Sequence, residues 1–422
     1  MSKSTKVPAF FLRYITVSVL LMGPMASAQA DPLSFDMALA LALREAPVLA
    51  ASEAQLDAAR QAAVPAGALP DPRLALGIDN VPIEGPDRFN LNKEAMTMRR
   101  IGLMQEFPSR AKRAARVDVA RSRVELAEAE IEVARLTVMR ETAVAWIARD
   151  TVEQQLEQVD ALFVENKLLD AAVRARLAGG RGMTTEIVMP RQEAAQIEER
   201  RDELQMRREQ SIAILRRWVG TAADASLVGS VPEWPVSSRP LLHGLHRHPE
   251  IELFSPQGRI LDAEVAEAEA AKKSDWALEL AYQNRAFRFG DMVMLQVSFD
   301  LPMFTSKRQE PRVAAKRAER VALDAERESV LRMHTAELES DLADYKRLGS
   351  AIKRQRELLM PLADEKISLA MAAWRGGKGS LTELISARSE RIDTELKAIA
   401  LEGEQRQVAA RLHYVYGAGE GV

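Results

Sequence analysis

The sequence predicts a mainly α-helical fold with a small β part: long coiled-coil helical hairpins in a duplicated arrangement, plus four membrane-type β-strands. Three observations carry that expectation. The composition is that of rods, one plan recurs at a spacing near 197 residues, and β-branched residues repeat in heptads through one very long helix. Of the 422 residues, 47% are hydrophobic and 28% charged but only 5% aromatic, which suits helices packed along seams rather than around a bulky core. Lys and Arg total 58 against 61 for Asp and Glu, so a net charge of -3 supplies no field to recruit nucleic acid. The absence of cysteine excludes disulfides and thiolate metal sites.

Lys3, Lys6 and Arg13 precede an apolar run from Tyr14 to Met22, and Ala28-Gln29-Ala30 comes after it as a small-x-small cleavage pattern. Residues 1–30 therefore read as a secretory signal; the run is far short of the ~20 residues of a spanning helix. Beyond it, Ala178-Gly179-Gly180-Arg181-Gly182 reappears as Arg375-Gly376-Gly377-Lys378-Gly379, with Thr185-Glu186 answered by Thr382-Glu383. Arg191 and Glu193 match Arg388 and Glu390, and Glu106-Phe107-Pro108 matches Asp300-Leu301-Pro302. Such a preserved order indicates a tandem duplication. The first repeat is read as 31–220, a linker as 221–245, the second repeat as 246–417 and a tail as 418–422.

Within each repeat the expected order is helix, strand, loop, strand, very long helix, glycine turn, helix. Val117, Val124, Ile131, Val138, Ala145, Val152, Val159 and Val173 keep a seven-residue period broken only by Asn166, a coiled-coil seam. Leu331, Leu338, Tyr345, Ile352 and Leu359 form its counterpart. A helix from Ser109 to Leu177 would be ~100 Å long, which no compact domain contains. The strands are placed at about 73–80, 97–107, 277–285 and 291–301, with hairpin tips near 179–185 and 376–382. In the last strand Val293, Leu295, Val297 and Phe299 alternate with Met292, Met294, Gln296 and Ser298, one apolar face and one polar or small face. Four strands cannot close a barrel alone, and an open edge in hydrocarbon costs several kcal/mol per unpaired group. Two copies would give eight strands and three copies twelve.

This arrangement resembles the TolC family of outer membrane factors, the exit ducts of bacterial tripartite efflux pumps. The resemblance covers nearly all of the chain after residue 30. It implies a homotrimer whose twelve strands form an outer membrane barrel surrounded by lipid. Its helices then form a periplasmic tunnel, working with a periplasmic adaptor and an inner membrane transporter of the RND type. The family's hairpin tip carries an aromatic residue, two variable positions and glycine; Trp374-Arg375-Gly376-Gly377 fits, while Leu177-Ala178-Gly179-Gly180 has leucine instead. The resemblance thus assigns adaptor docking to Leu177, Gly180, Trp374 and Gly377. It assigns the periplasmic gate to Glu383 and its repeat mate Glu186, six carboxylates in a trimer. Each Glu also suits the first turn of a helix. The segment Leu69-Pro70-Asp71-Pro72-Arg73, with Met98-Arg99-Arg100-Ile101, resembles the branch that exports copper and silver or cobalt, zinc and cadmium.

Two residue groups suggest metal contacts of their own. Met292 and Met294, with Met96, Met98, Met104 and Met303, offer soft thioethers suited to Cu(I), although methionine is equally a filler of apolar gaps. His243, His246 and His248 form an H-x-x-H-x-H cluster, but the segment joins the two repeats and no carboxylate or cysteine is seen to complete a set. These histidines are accordingly expected to be exposed linker residues. No nucleophile elbow or phosphate loop is present, so no enzyme and no cofactor are expected. The rival readings are a soluble periplasmic coiled-coil scaffold and an adaptor protein.

Overall fold

The structure is a computed structural model that describes residues 32–417; the signal segment and the residues after 417 lie outside the described residues. The first repeat opens with β1 (Leu33–Ser34), α1 (Phe35–Glu45) and α2 (Pro47–Ala63). The Ser34 hydroxyl caps α1 by accepting from Met37 N–H, and Pro47 begins α2, where its missing N–H costs nothing. Strands β2 (Arg73–Asp79) and β3 (Met98–Phe107) lead into α3 (Arg110–Ala178), one uninterrupted helix of 69 residues. A short 3₁₀ turn, Thr184–Ile187, then starts the return along α4 (Met189–Val219).

The linker holds β4 (Leu227–Val228), parallel to β1, and α5 (Ser238–Gly244). The second repeat runs through α6 (Pro249–Glu252), α7 (Phe254–Ala270), β5 (Trp276–Asn284) and β6 (Met292–Phe299). Its rod is interrupted. Helix α8 (Thr305–Arg354) passes through a π turn, Gln355–Leu359, into α9 (Met360–Arg375), and α10 (Leu381–Tyr416) returns.

Burial tracks the heptads where rods meet. Val138, Ala145, Val159 and Val173 are buried in α3, and Leu338 in α8, whereas Val117 is exposed toward the sheet end. Leu359, expected on the second seam, is instead 44% exposed and Gln355 is buried. The π turn adds a residue to the helical repeat and rotates α9 relative to α8, so the seam cannot run straight through it.

The thickest core gathers around Trp146 in the middle of α3, against Phe35, Leu215, Trp218 and Val219. Phe35 meets Trp146 edge-on at 5.6 Å. Beside it, the fully buried Arg149 donates to the carbonyls of Ala223 at 2.6 Å and Ala225 at 2.7 Å, and to Glu153 at 2.9 Å. The guanidinium thereby satisfies the turn that ends α4.

Candidate functional site

The four long strands form one antiparallel sheet in the order β2-β3-β5-β6, so the two repeats join at β3 and β5. The register separates its faces cleanly. Leu74, Leu103, Leu280 and Leu295 make one cross-strand row, and Leu76, Ile101, Tyr282 and Val293 the next. These side chains are exposed, an apolar band that none of the described residues covers. On the other face Arg73, Met104, Glu279 and Gln296 align, then Ala75, Gly102, Ala281 and Met294, then Gly77, Arg100, Gln283 and Met292. Arg100 reaches Glu279 at 2.5 Å across the junction. Gly102 is required there, because a Cβ would lie 2.9 Å from the Glu279 carboxylate and 3.1 Å from Ala281 Cβ. Met292 and Met294 thus share the polar face with Met98 and Met104, while Met96 and Met303 lie outside the strands.

At the opposite end the two glycine turns have matching geometry. Gly179 N–H bonds Ala175 O at 3.1 Å and Arg181 N–H bonds Arg176 O at 3.0 Å; Gly376 N–H bonds Ala372 O and Lys378 N–H bonds Ala373 O, both at 2.9 Å. Gly180 and Gly377 sit at φ +70° and +71°, a left-handed cap that only glycine adopts without penalty. The tips are tied together. Arg176 lies 4.9 Å from the centre of the Trp374 ring and donates to the Trp374 carbonyl, while Leu169, Val173, Leu381 and Leu384 pack around the indole. Trp374 is only 4% exposed, so the tip presents the residues around the indole rather than its ring.

Glu383 closes a capping box with Ser380, its carboxylate accepting from Ser380 N–H at 3.1 Å while Ser380 accepts from Glu383 N–H at 3.2 Å. Glu186 lies in the 3₁₀ turn, its carboxylate against Gly182, where a Cβ would approach it to 2.8 Å. Between tips and core, Asn166 interrupts the seam for a reason the heptad did not disclose. It donates to Glu193 at 2.7 Å and to Pro190 O at 3.1 Å, and Glu193 accepts from Arg388 at 3.2 Å. All three residues are buried, linking α3, α4 and α10.

One of the three linker histidines departs from expectation; the side chain of His243 lies outside the described residues. His246 is exposed, but His248 is 6% exposed and caps α6 by accepting from Glu250 N–H at 3.2 Å. Glu250 meets His334 of α8 at 3.0 Å, so a carboxylate and a distant imidazole do complete a set around His248. Burial and the facing His334 push His248 down to about 4; the bond between Glu250 and His334 raises the imidazole and lowers the carboxyl.

Among the described residues, then, the chain carries on paired rods a sheet with one exposed apolar face and two unpaired edges. Residues 38–221 match the model of the family described as outer membrane efflux protein. Solved structures of the same fold include the outer membrane protein VceC of Vibrio cholerae, at 19% identity over 91% of this chain and 96% of that one, TM-score 0.73. CusC aligns at 15% identity over 92% and 93% of the two chains, TM-score 0.77. The open-state MtrE outer membrane channel of Neisseria gonorrhoeae aligns at 15% over 91% and 88%, TM-score 0.72. No curated protein matches the sequence. Part of the chain, residues 38–221, thus resembles that family, and the whole described chain has the fold of these outer membrane channels.

Proposed function

We propose that three copies of this chain close a twelve-stranded barrel and act as the outer membrane channel of a tripartite RND-type efflux system. The carrying observation is the open sheet: among the described residues β2 and β6 each have one unpaired edge, and the apolar rows are exposed leucines, isoleucine, valine and tyrosine. In hydrocarbon those edges must pair with other copies. The tandem duplication supplies each protomer with two hairpins, and the tips at Leu177, Gly180, Trp374 and Gly377 are the docking points for a periplasmic adaptor that couples to the inner membrane pump. Glu186 and Glu383 form a belt of six carboxylates at the periplasmic mouth. Purified protein in detergent should have the mass of a trimer and conduct ions in a planar bilayer; a water-soluble monomer refutes the reading.

For the substrate we infer heavy-metal cations, copper and silver or cobalt, zinc and cadmium. Met98, Met104, Met292 and Met294 all lie on the polar sheet face, where thioethers offer weak, soft contacts along a bore. A deletion strain complemented with the Met292→Leu/Met294→Leu variant should lose copper or silver tolerance relative to wild type. Unchanged tolerance removes the methionines from the transport path.

A further inference from the structure

Two buried imidazoles face each other at the start of the second repeat, with ring centroids 4.2 Å apart. Pro249 opens α6 and fixes the backbone there, which brings His248 and Glu250 together over α8. Their partner is His334, 4% exposed, from the middle of α8. One ligand atom from each of His248, Glu250 and His334 lies within 4.8 Å of the others. Neither imidazole is explained by packing alone. Among the described residues, His334 Nδ1 is buried with no hydrogen-bond partner, although a carboxylate oxygen of Glu337 stands 3.5 Å away. A buried ring nitrogen left unpaired calls for a reason.

We propose that His248, Glu250 and His334 bind one divalent transition-metal cation of the zinc class, stapling the start of the second repeat to the long helix α8. Two histidines and one glutamate with an open fourth position are an established zinc donor set. Each group has an atom to give. His334 offers Nε2, now 3.0 Å from Glu250, and a cation there turns its Nδ1–H toward Glu337, the outer carboxylate that such ligands ordinarily carry. His248 offers Nδ1, whose present bond from Glu250 N–H is long at 3.2 Å. Ligand atoms around tetrahedral zinc stand about 3.4 Å apart, so groups now within 4.8 Å of one another need to close by at most about 1.4 Å.

A cavity of about 10 Å³ lies beside His248 and Glu250, with Val133, Thr137 and Tyr414 among its walls; His334 does not line it, so the cation would sit between the three ligand atoms rather than in the cavity itself. Arg140, the nearby cation, is engaged with Glu141 at 2.9 Å. Tyr416 donates to the His334 carbonyl at 3.4 Å and closes the far side. This staple is independent of what the channel exports, since it lies among helices and not on the sheet face that carries the methionines.

The test uses the full chain in detergent, stripped with a chelator, then titrated with zinc, and separately with cobalt(II) for its absorption bands. Wild type should take up one zinc per chain, give a low-symmetry cobalt spectrum and gain thermal stability on zinc addition. Glu250→Gln, which keeps shape and hydrogen bonding, and His248→Asn should each weaken zinc about tenfold or more. His246→Ala, in the same linker, should bind as wild type. If His334→Ala does not fold, Glu250→Gln decides. Wild type that takes up no stoichiometric zinc, Glu250→Gln and His248→Asn binding unchanged, or loss confined to His246→Ala would each overturn the assignment.

Discussion

Replacing Glu193 with leucine should open the hairpin half of the helical bundle locally without unfolding the rest. Glu193 is the only carboxylate within 3.5 Å of the Arg388 guanidinium among the described residues, and both are buried, at 5% and 8% exposure. The second acid near Arg388, Glu165, is 3.7 Å away and 60% exposed, so water screens it. At 3.2 Å the pair attracts by about 5 kcal/mol with an effective dielectric of 20. Removing one partner from a buried pair typically costs about 3–5 kcal/mol, because the other charge stays buried and unmatched. Asn166 keeps its bond to Pro190 O, so its loss overlaps with this cost rather than adding to it.

Hydrogen exchange of the detergent-solubilised protein reads the effect segment by segment. Amides of α3 near 162–173, α4 near 190–204 and α10 near 384–392 should exchange faster by about two to nearly four decades, while those around Trp146 hold their protection. The triple variant Asn166→Val/Glu193→Leu/Arg388→Leu restores an apolar seam and should recover or exceed wild-type protection. Exchange in Glu193→Leu within fivefold of wild type, or a triple variant as labile as the single, refutes the assignment of this network as a buried charge lock.

The glycine caps, the buried arginine and one histidine give further expectations. Gly180→Ala meets no steric obstacle, so its cost is conformational, about 1 kcal/mol for a left-handed residue, and Gly377→Ala should match it in exchange at the tips; intact efflux and adaptor crosslinking in the double variant would dismiss a hinge role. Arg149→Ala orphans two buried carbonyls and should lower the thermal midpoint sharply, and Arg149→Lys should recover only part of it, because an ammonium cannot span both oxygens. His413 stacks on Trp234 at 5.4 Å, and burial holds its pKa below the ordinary value. The unfolded chain then binds the proton more tightly, so stability is complete above about pH 6.5 and declines on acidification; His413→Phe should flatten that slope in a midpoint-against-pH series.

The rods and strands were legible because their periods are written locally, seven residues for α3 and two for β6. The lipid-facing rows were legible for the same reason, since Val293 and Leu295 declare their face without reference to β5. Contacts between distant residues escaped. His248 read as a solvated linker residue because its partner His334 belongs to another helix, and Glu250 and His334 are 84 positions apart. Asn166 read as a flaw in a heptad because Glu193 and Arg388, which it serves, carry no period of their own. The matching of Arg191 with Arg388 also concealed that the bonded pair is Glu193 with Arg388, one residue from each repeat.

The second rod breaks next to Pro361, where the first rod has no proline. Pro361 lacks the N–H that would bond back to residue 357, and its ring crowds that carbonyl, which disturbs the regular ladder; Pro311, in the second turn of α8, leaves that helix continuous. The chain answers with the π turn Gln355–Leu359, which widens the ladder just ahead of the proline. Val164 holds the corresponding place in the first repeat, near 197 residues earlier, and α3 runs on unbroken. The break is strapped to the neighbouring helix: Arg356 donates to Glu402 at 2.7 and 3.1 Å and to Glu395 at 2.8 Å, and Gln355 donates to Thr394 O at 3.0 Å. These charge-assisted bonds all lead to α10, so the π turn is held from the side on which the second hairpin packs. The chain thus keeps one rod α-helical along its length and gives the other a single π turn, held by α10, between the sheet and the Trp374 tip.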